Sequence, residues 1–191
     1  MPAPPPTPPS TLRAFPADGF EARWETWDGG HRESLSLAWD NEAWTATGAV
    51  EREQVQYVIR LSPRWQIRQF LLFRDLPEPD LWLGTDGQGR WGEINGAHRT
   101  DLDGAYDLAM RCTPFTLTLP IRRHPLAEGD SIELIILEID VATLGVVTVP
   151  HTFERTGARS WRVAADGEST RFDVDEFGVA IDVEGRFRRV T

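Results

Sequence analysis

From Phe20 onward, apolar and polar residues alternate with a period of two. Val55, Tyr57, Ile59 and Leu61 alternate with Gln54, Gln56 and Arg60, and Thr170, Phe172 and Val174 interleave with Arg171, Asp173 and Asp175. Successive side chains of a strand point to opposite faces, so each run predicts a strand with one buried side. The same pattern places Trp65, Ile67, Leu71 and Phe73 on one face, opposite Gln66, Arg68 and Arg74. Between the runs stand turn pairs such as Asp28-Gly29, Asp86-Gly87, Asn95-Gly96, Glu128-Gly129 and Asp166-Gly167. Short strands punctuated by residues that tolerate positive φ describe an all-β chain, mainly antiparallel. Residues 131–141 carry Ile135, Ile136 and Leu137 in succession, which predicts cover on both faces of that strand.

Six of the 14 prolines fall in the first ten residues and block strand pairing there, so residues 1–17 are expected to form a disordered tail and 18–191 a single domain. Thirty acidic residues against 20 Lys and Arg give a net charge of -10, which excludes a nucleic-acid backbone as partner. No apolar run approaches the length of a membrane span, and the N-terminus lacks the basic and apolar regions of a secretory signal. With one cysteine, Cys112, no internal disulfide can form. Together these features point to a cytoplasmic protein, with Cys112 a packed, inert thiol.

Few motifs carry chemistry. Residues 87–92 satisfy G-x-G-x-x-G, but dinucleotide binding needs a helix at that point and the sequence offers a hairpin instead. His31, His98, His124 and His151 lack metal-ligand spacing, so neither a metal nor another cofactor is expected. Asp101, Asp103 and Asp107 alternate, yet acids around Gly104 more commonly cap amides or pair with arginine than catalyse. The hydrolase nucleophile patterns are missing, so an enzyme is not expected. Eight tryptophans are core residues first and stacking platforms second.

Residues 84–134 carry a D-G-x-G-x-W hairpin, an L-D-G turn and then TPFTLTLPIRR. Arg23-Trp24, Tyr57-x-x-x-Leu61, Trp65-x-x-Arg68, Trp161, Asp173-x-Asp175-Glu176-x-Gly178 and Gly185-x-Phe187-x-Arg189-Val190 extend the pattern over almost the whole chain. In these features the sequence resembles the bacterial family named for glycolipid binding, formerly a domain of unknown function. The resemblance implies a spiral β-roll, a many-stranded sheet coiled around a single short helix, and a homodimer. Two positions depart from the family pattern: Leu117 stands where Asn is usual, and His151 where Gln is usual.

In residues 113–123, Phe115, Leu117, Leu119 and Ile121 have strand periodicity, whereas Thr113-Pro114 is a helix entry of N-cap followed by proline. A short helix from about Pro114 is expected, limited by Pro120, with Phe115 and Leu119 buried. The function that the resemblance implies is non-enzymatic binding of an amphiphile, glycolipid or other lipid, between sheet and helix. Thr116, Thr118, Arg122 and Arg123 are the candidate ligand-binding residues, with Arg68 and Arg90 beside them. The arginines could instead pair with Asp101, Asp103, Asp107 or a dimer mate. The rival reading is a dimeric interaction module with a solid core and no ligand.

Overall fold

The computed structural model describes residues 12–75 and 77–190. One sheet of 14 strands runs through it, opened between β7 and β8 and joined in its middle where β1 pairs with β14. The first half is a meander of β1 (Phe20–Thr26), β2 (Arg32–Asp40), β3 (Ala43–Val50), β4 (Val55–Leu61), β5 (Ile67–Phe73), β6 (Leu81–Thr85) and β7 (Trp91–Gly92). The second comprises β8 (Asp107–Ala109), β9 (Ser131–Asp140), β10 (Gly145–Arg155), β11 (Ser160–Ala165), β12 (Glu168–Val174), β13 (Ala180–Val183) and β14 (Phe187–Val190). Every strand pair is antiparallel except β8 with β9. That parallel pair exists because the connection from β8 to β9 is a crossover carrying the helix, which a tight hairpin could not accommodate.

Burial follows the predicted alternation closely in β4, where Val55, Tyr57, Ile59 and Leu61 are all buried. In β5 it does not. Ile67 pairs with Leu61 but Gln69 pairs with Arg60, so Arg68 is an extra residue in a β-bulge. The insertion reverses the phase: Phe70 and Leu72 are buried, and Leu71 and Phe73 stand on the partly exposed side. On β9, Ile136 and Leu137 are buried as expected, whereas Ile135 is 40% exposed, so its outer face lacks the predicted cover.

The segment 113–123 is helical. A 3-10 turn over Phe115–Leu117 leads into α1 (Thr118–Arg123). Thr113 Oγ1 accepts the Phe115 amide at 3.1 Å, the capping bond anticipated from the sequence. Pro120 sits in the first turn of α1, where its missing N–H leaves no vacancy in the helix ladder. Phe115 and Leu119 are fully buried in the single hydrophobic core that both halves of the sheet enclose. Residues 87–92 belong to the β6–β7 hairpin, as expected from the sequence.

The part of the expected tail that is described, from Leu12, is packed against the fold. Phe15 is 3% exposed and stacks on Phe177 while meeting Phe20, Trp44 and Trp65. Proline richness ends at Pro9, and a large aromatic six residues later finds its place in the core. The rest of the expected tail lies outside the described residues.

Candidate functional site

Below the helical segment, the two halves of the sheet do not close on each other, and a cavity of about 920 Å³ remains. The crossover forms one wall through Met110, Pro114, Thr116, Leu117 and Pro120. Inward-facing residues of the second half form the other, among them Ile136, Ile139, Phe153, Val163 and Phe187. Phe153 and Val163 are cross-strand partners on one face of the sheet, and Ile136, Ile139 and Phe187 join them, so this wall is mainly apolar.

Polar groups enter this lining from several elements, among them Asp140 and Thr143 at the β9–β10 turn and Glu168 and Thr170 of β12, with Glu168 Oε2 3.7 Å from Arg111 Nη1. His151 Nε2 lies 2.9 Å from Glu138 Oε1 across the β9–β10 pair. Arg52 and Glu53 come from the β3–β4 turn, Arg111 from the loop after β8, and Arg186 from the β13–β14 turn. Arg186 donates to the Arg111 carbonyl, and no carboxylate among the described residues pairs with it. Burial, then the neighbouring Arg111 charge, lowers the Arg186 pKa. An under-neutralised guanidinium at the edge of an apolar chamber is a place where a ligand oxyanion gains.

The same rim opens into a second recess of about 370 Å³, shared through Arg52, Glu53, Arg111, Cys112 and Arg186, with Glu33 in its lining. Glu33 is 3% exposed. Its Oε1 accepts from Tyr57 Oη at 3.2 Å and from Thr113 Oγ1, and its buried Oε2 has no partner among the described residues. Burial pushes the carboxyl up to about 8 against the pull of both hydroxyls, so Glu33 is protonated at neutral pH. Burial likewise raises the Cys112 thiol to about 12, which makes it unreactive.

The six residues singled out from the sequence separate into several locations. Thr116 lines the cavity, its Oγ1 3.4 Å from the Met110 amide. Thr118 is fully buried beside it with no partner for its hydroxyl among the described residues. Arg122 points away from the cavity and lies between the Phe15 and Trp65 rings, 4.5 Å from each centroid. It donates to the Phe177 carbonyl at 2.5 Å, and burial lowers its pKa to about 10 despite the Asp175 charge. Arg123 Nη1 is 2.9 Å from Asp107 Oδ1 while its N–H is aimed at the Tyr106 carbonyl. Burial of Asp107, opposed by Arg123, raises that carboxyl to about 6. Arg68 and Arg90 meet in a separate groove on the outer face. Asp101 and Asp103 pair with Arg99 and His98 rather than with each other.

Sequence reasoning passed over Glu33, Arg111, Glu138 and Arg186. None stands in a local motif, because their proximity is created by the coiling of the sheet.

A family profile described as "Putative glycolipid-binding" matches residues 21–189. The chain belongs to that family. A crystal structure of a DUF1089 family protein from Pseudomonas aeruginosa is similar to it, with 27% identity, a TM-score of 0.66, and coverage of 95% of this chain and 97% of that one. No curated protein is significantly similar to the chain. Among the described residues, no cluster of His, Cys, Asp and Glu could hold a metal ion, and no helix is long and apolar enough to cross a membrane.

Proposed function

We propose that this family member holds an amphiphile without transforming it, the apolar tail inside the cavity and the polar head at the rim formed by Arg52, Arg111 and Arg186. The observation that carries this reading is the 920 Å³, mainly apolar cavity beside α1, where the rival solid-core module would need close packing. Tail burial supplies the affinity, about 0.8 kcal/mol per methylene, and the rim selects the head. A soluble homodimer, implied by the family resemblance, completes the reading, and light scattering at twice 21.6 kDa is its expected signature.

Native mass spectrometry of protein purified from its own source, before and after organic extraction, tests the proposal. A lipid-sized adduct that extraction removes and added lipid restores is expected. If no adduct is found and added amphiphiles shift neither melting temperature nor tryptophan fluorescence, the carrier reading is wrong.

A further inference from the structure

On the outer face of the first half-sheet, four strands contribute one cross-strand row: Arg60 of β4, Gln69 of β5, Gly84 of β6 and Gly92 of β7. The bulge in β5 adds Arg68 to that face, directly beside Gln69 and opposite Arg60. Bulges re-aim side chains, and this one keeps two successive residues, Arg68 and Gln69, on the outer face, where alternation would have turned Gln69 inward. The six-membered ring of Trp82 reaches across Gly84, its Cη2 only 2.7 Å from where a Cβ would stand. Around this indole lies a shallow groove of about 570 Å³ lined by Arg60, Arg68 and Arg90.

The acids of the groove are already engaged. Asp86 Oδ1 accepts the Gln88 amide at 2.7 Å and the Arg90 amide at 3.4 Å, and Glu93 pairs with Arg99 at 3.2 Å. Arg68 donates only to the Asp86 carbonyl, at 3.0 Å. No carboxylate among the described residues pairs with Arg60, Arg68 or Arg90, and no ring or guanidinium stacks on Trp82. In a chain of net charge -10, three guanidiniums without a carboxylate partner around one partly exposed indole are a built contrast.

From this geometry we infer a second binding site, distinct from the cavity, for an anionic saccharide: a pyranose resting its C–H face on Trp82, with its phosphate or carboxylate held by Arg60, Arg68 and Arg90. Guanidinium forks match such oxyanions, and Gln69 supplies an amide for ring hydroxyls. A single partly exposed indole suits a sugar ring, whereas a nucleobase is commonly gripped between two planes.

Titration calorimetry of the full-length protein with glucose 6-phosphate, glucuronate, glucose, inorganic phosphate and AMP tests the inference. Both anionic sugars are expected to bind, glucose and inorganic phosphate at least roughly tenfold more weakly. Arg60→Gln and Arg90→Gln should each weaken the anionic sugars by roughly tenfold to a hundredfold, the loss of one charge-assisted contact. Trp82→Ala should weaken the sugar phosphate but leave inorganic phosphate unchanged. Both arginines lie on the surface, so their variants retain the fold. Failure of both anionic sugars to bind, or unchanged binding in the Arg60→Gln/Arg90→Gln double variant, overturns the site; tighter binding of AMP than of either sugar overturns the saccharide assignment.

Discussion

Gly48 on β3 stands directly opposite Tyr57 on β4, with Leu35 of β2 on its other side. The Tyr57 ring crosses β3 at that point to reach Glu33 on β2, and a Cβ on Gly48 would lie 2.0 Å from Tyr57 Cζ and 2.4 Å from Tyr57 Oη. Ordinary contact begins near 3.4 Å, so the ring would have to move by about 1.4 Å. It cannot, because Tyr57 is fully buried and its hydroxyl is tied to Glu33 and Thr113. Gly48→Ala therefore costs about 1–3 kcal/mol in overpacking. Displacing the hydroxyl loses hydrogen bonds at about 1 kcal/mol each, for roughly 3–5 kcal/mol in total. In a domain of this size that lowers Tm by roughly 6–20 °C. Thermal and urea unfolding of Gly48→Ala, Tyr57→Ala and the double variant make a complete cycle. In the Tyr57→Ala background the new methyl meets empty space, so Gly48→Ala should be neutral or stabilising by about 0.5–1 kcal/mol through reduced chain entropy. An equal cost in both backgrounds would refute the crossing-ring explanation.

The protonated Glu33 has a further consequence. Its folded pKa of about 8 lies above the 4.5 ordinary for a glutamate, so the folded state binds the extra proton and stability falls as pH rises between these values. Glu33→Gln should flatten that part of the pH–Tm curve and be more stable than the parent at pH 8, and equal slopes from pH 6 to 8 in both proteins would contradict the assignment. Arg123→Ala strands the buried Asp107 and should cost about 3 kcal/mol, whereas Asp107→Asn with Arg123→Ala should cost less than the single change, as measured by urea unfolding. Arg122→Lys keeps the charge but loses the flat contacts with Phe15 and Trp65, so a loss of about 1–2 kcal/mol and altered tryptophan emission are expected.

The strands of this fold could be read from the sequence wherever alternation is unbroken, as in β4, and the helix from the Thr113-Pro114 entry despite the strand-like period of the four apolar residues that follow. Packing decided that conflict: Phe115 and Leu119 fill the core from the crossover, where no strand partner is within reach. Beyond Ile67 the alternation misled, because a single inserted residue, Arg68, reverses every later side chain in β5, and a bulge has no compositional mark of its own. Arg122 and Arg123 look equivalent in the sequence. One enters an aromatic sandwich and the other a buried ion pair, since adjacent helical residues point about 100° apart. The cavity was legible only as an inside, and its rim was not legible at all: Arg52, Arg111 and Arg186 come from three turns that only the coiled sheet brings together.

The central claim, that the chamber beside α1 takes an apolar tail, is tested most directly by affinity across a homologous series of single-chain amphiphiles with one head group, measured by displacement of a fluorescent lipid. Each added methylene should tighten binding about fourfold, equivalent to about 0.8 kcal/mol, until the chamber is full and the gain stops. Val163→Trp, which puts an indole into the cavity lining, should bring that plateau to a shorter chain. Affinity that is independent of chain length, or a plateau unchanged by Val163→Trp, would contradict the claim.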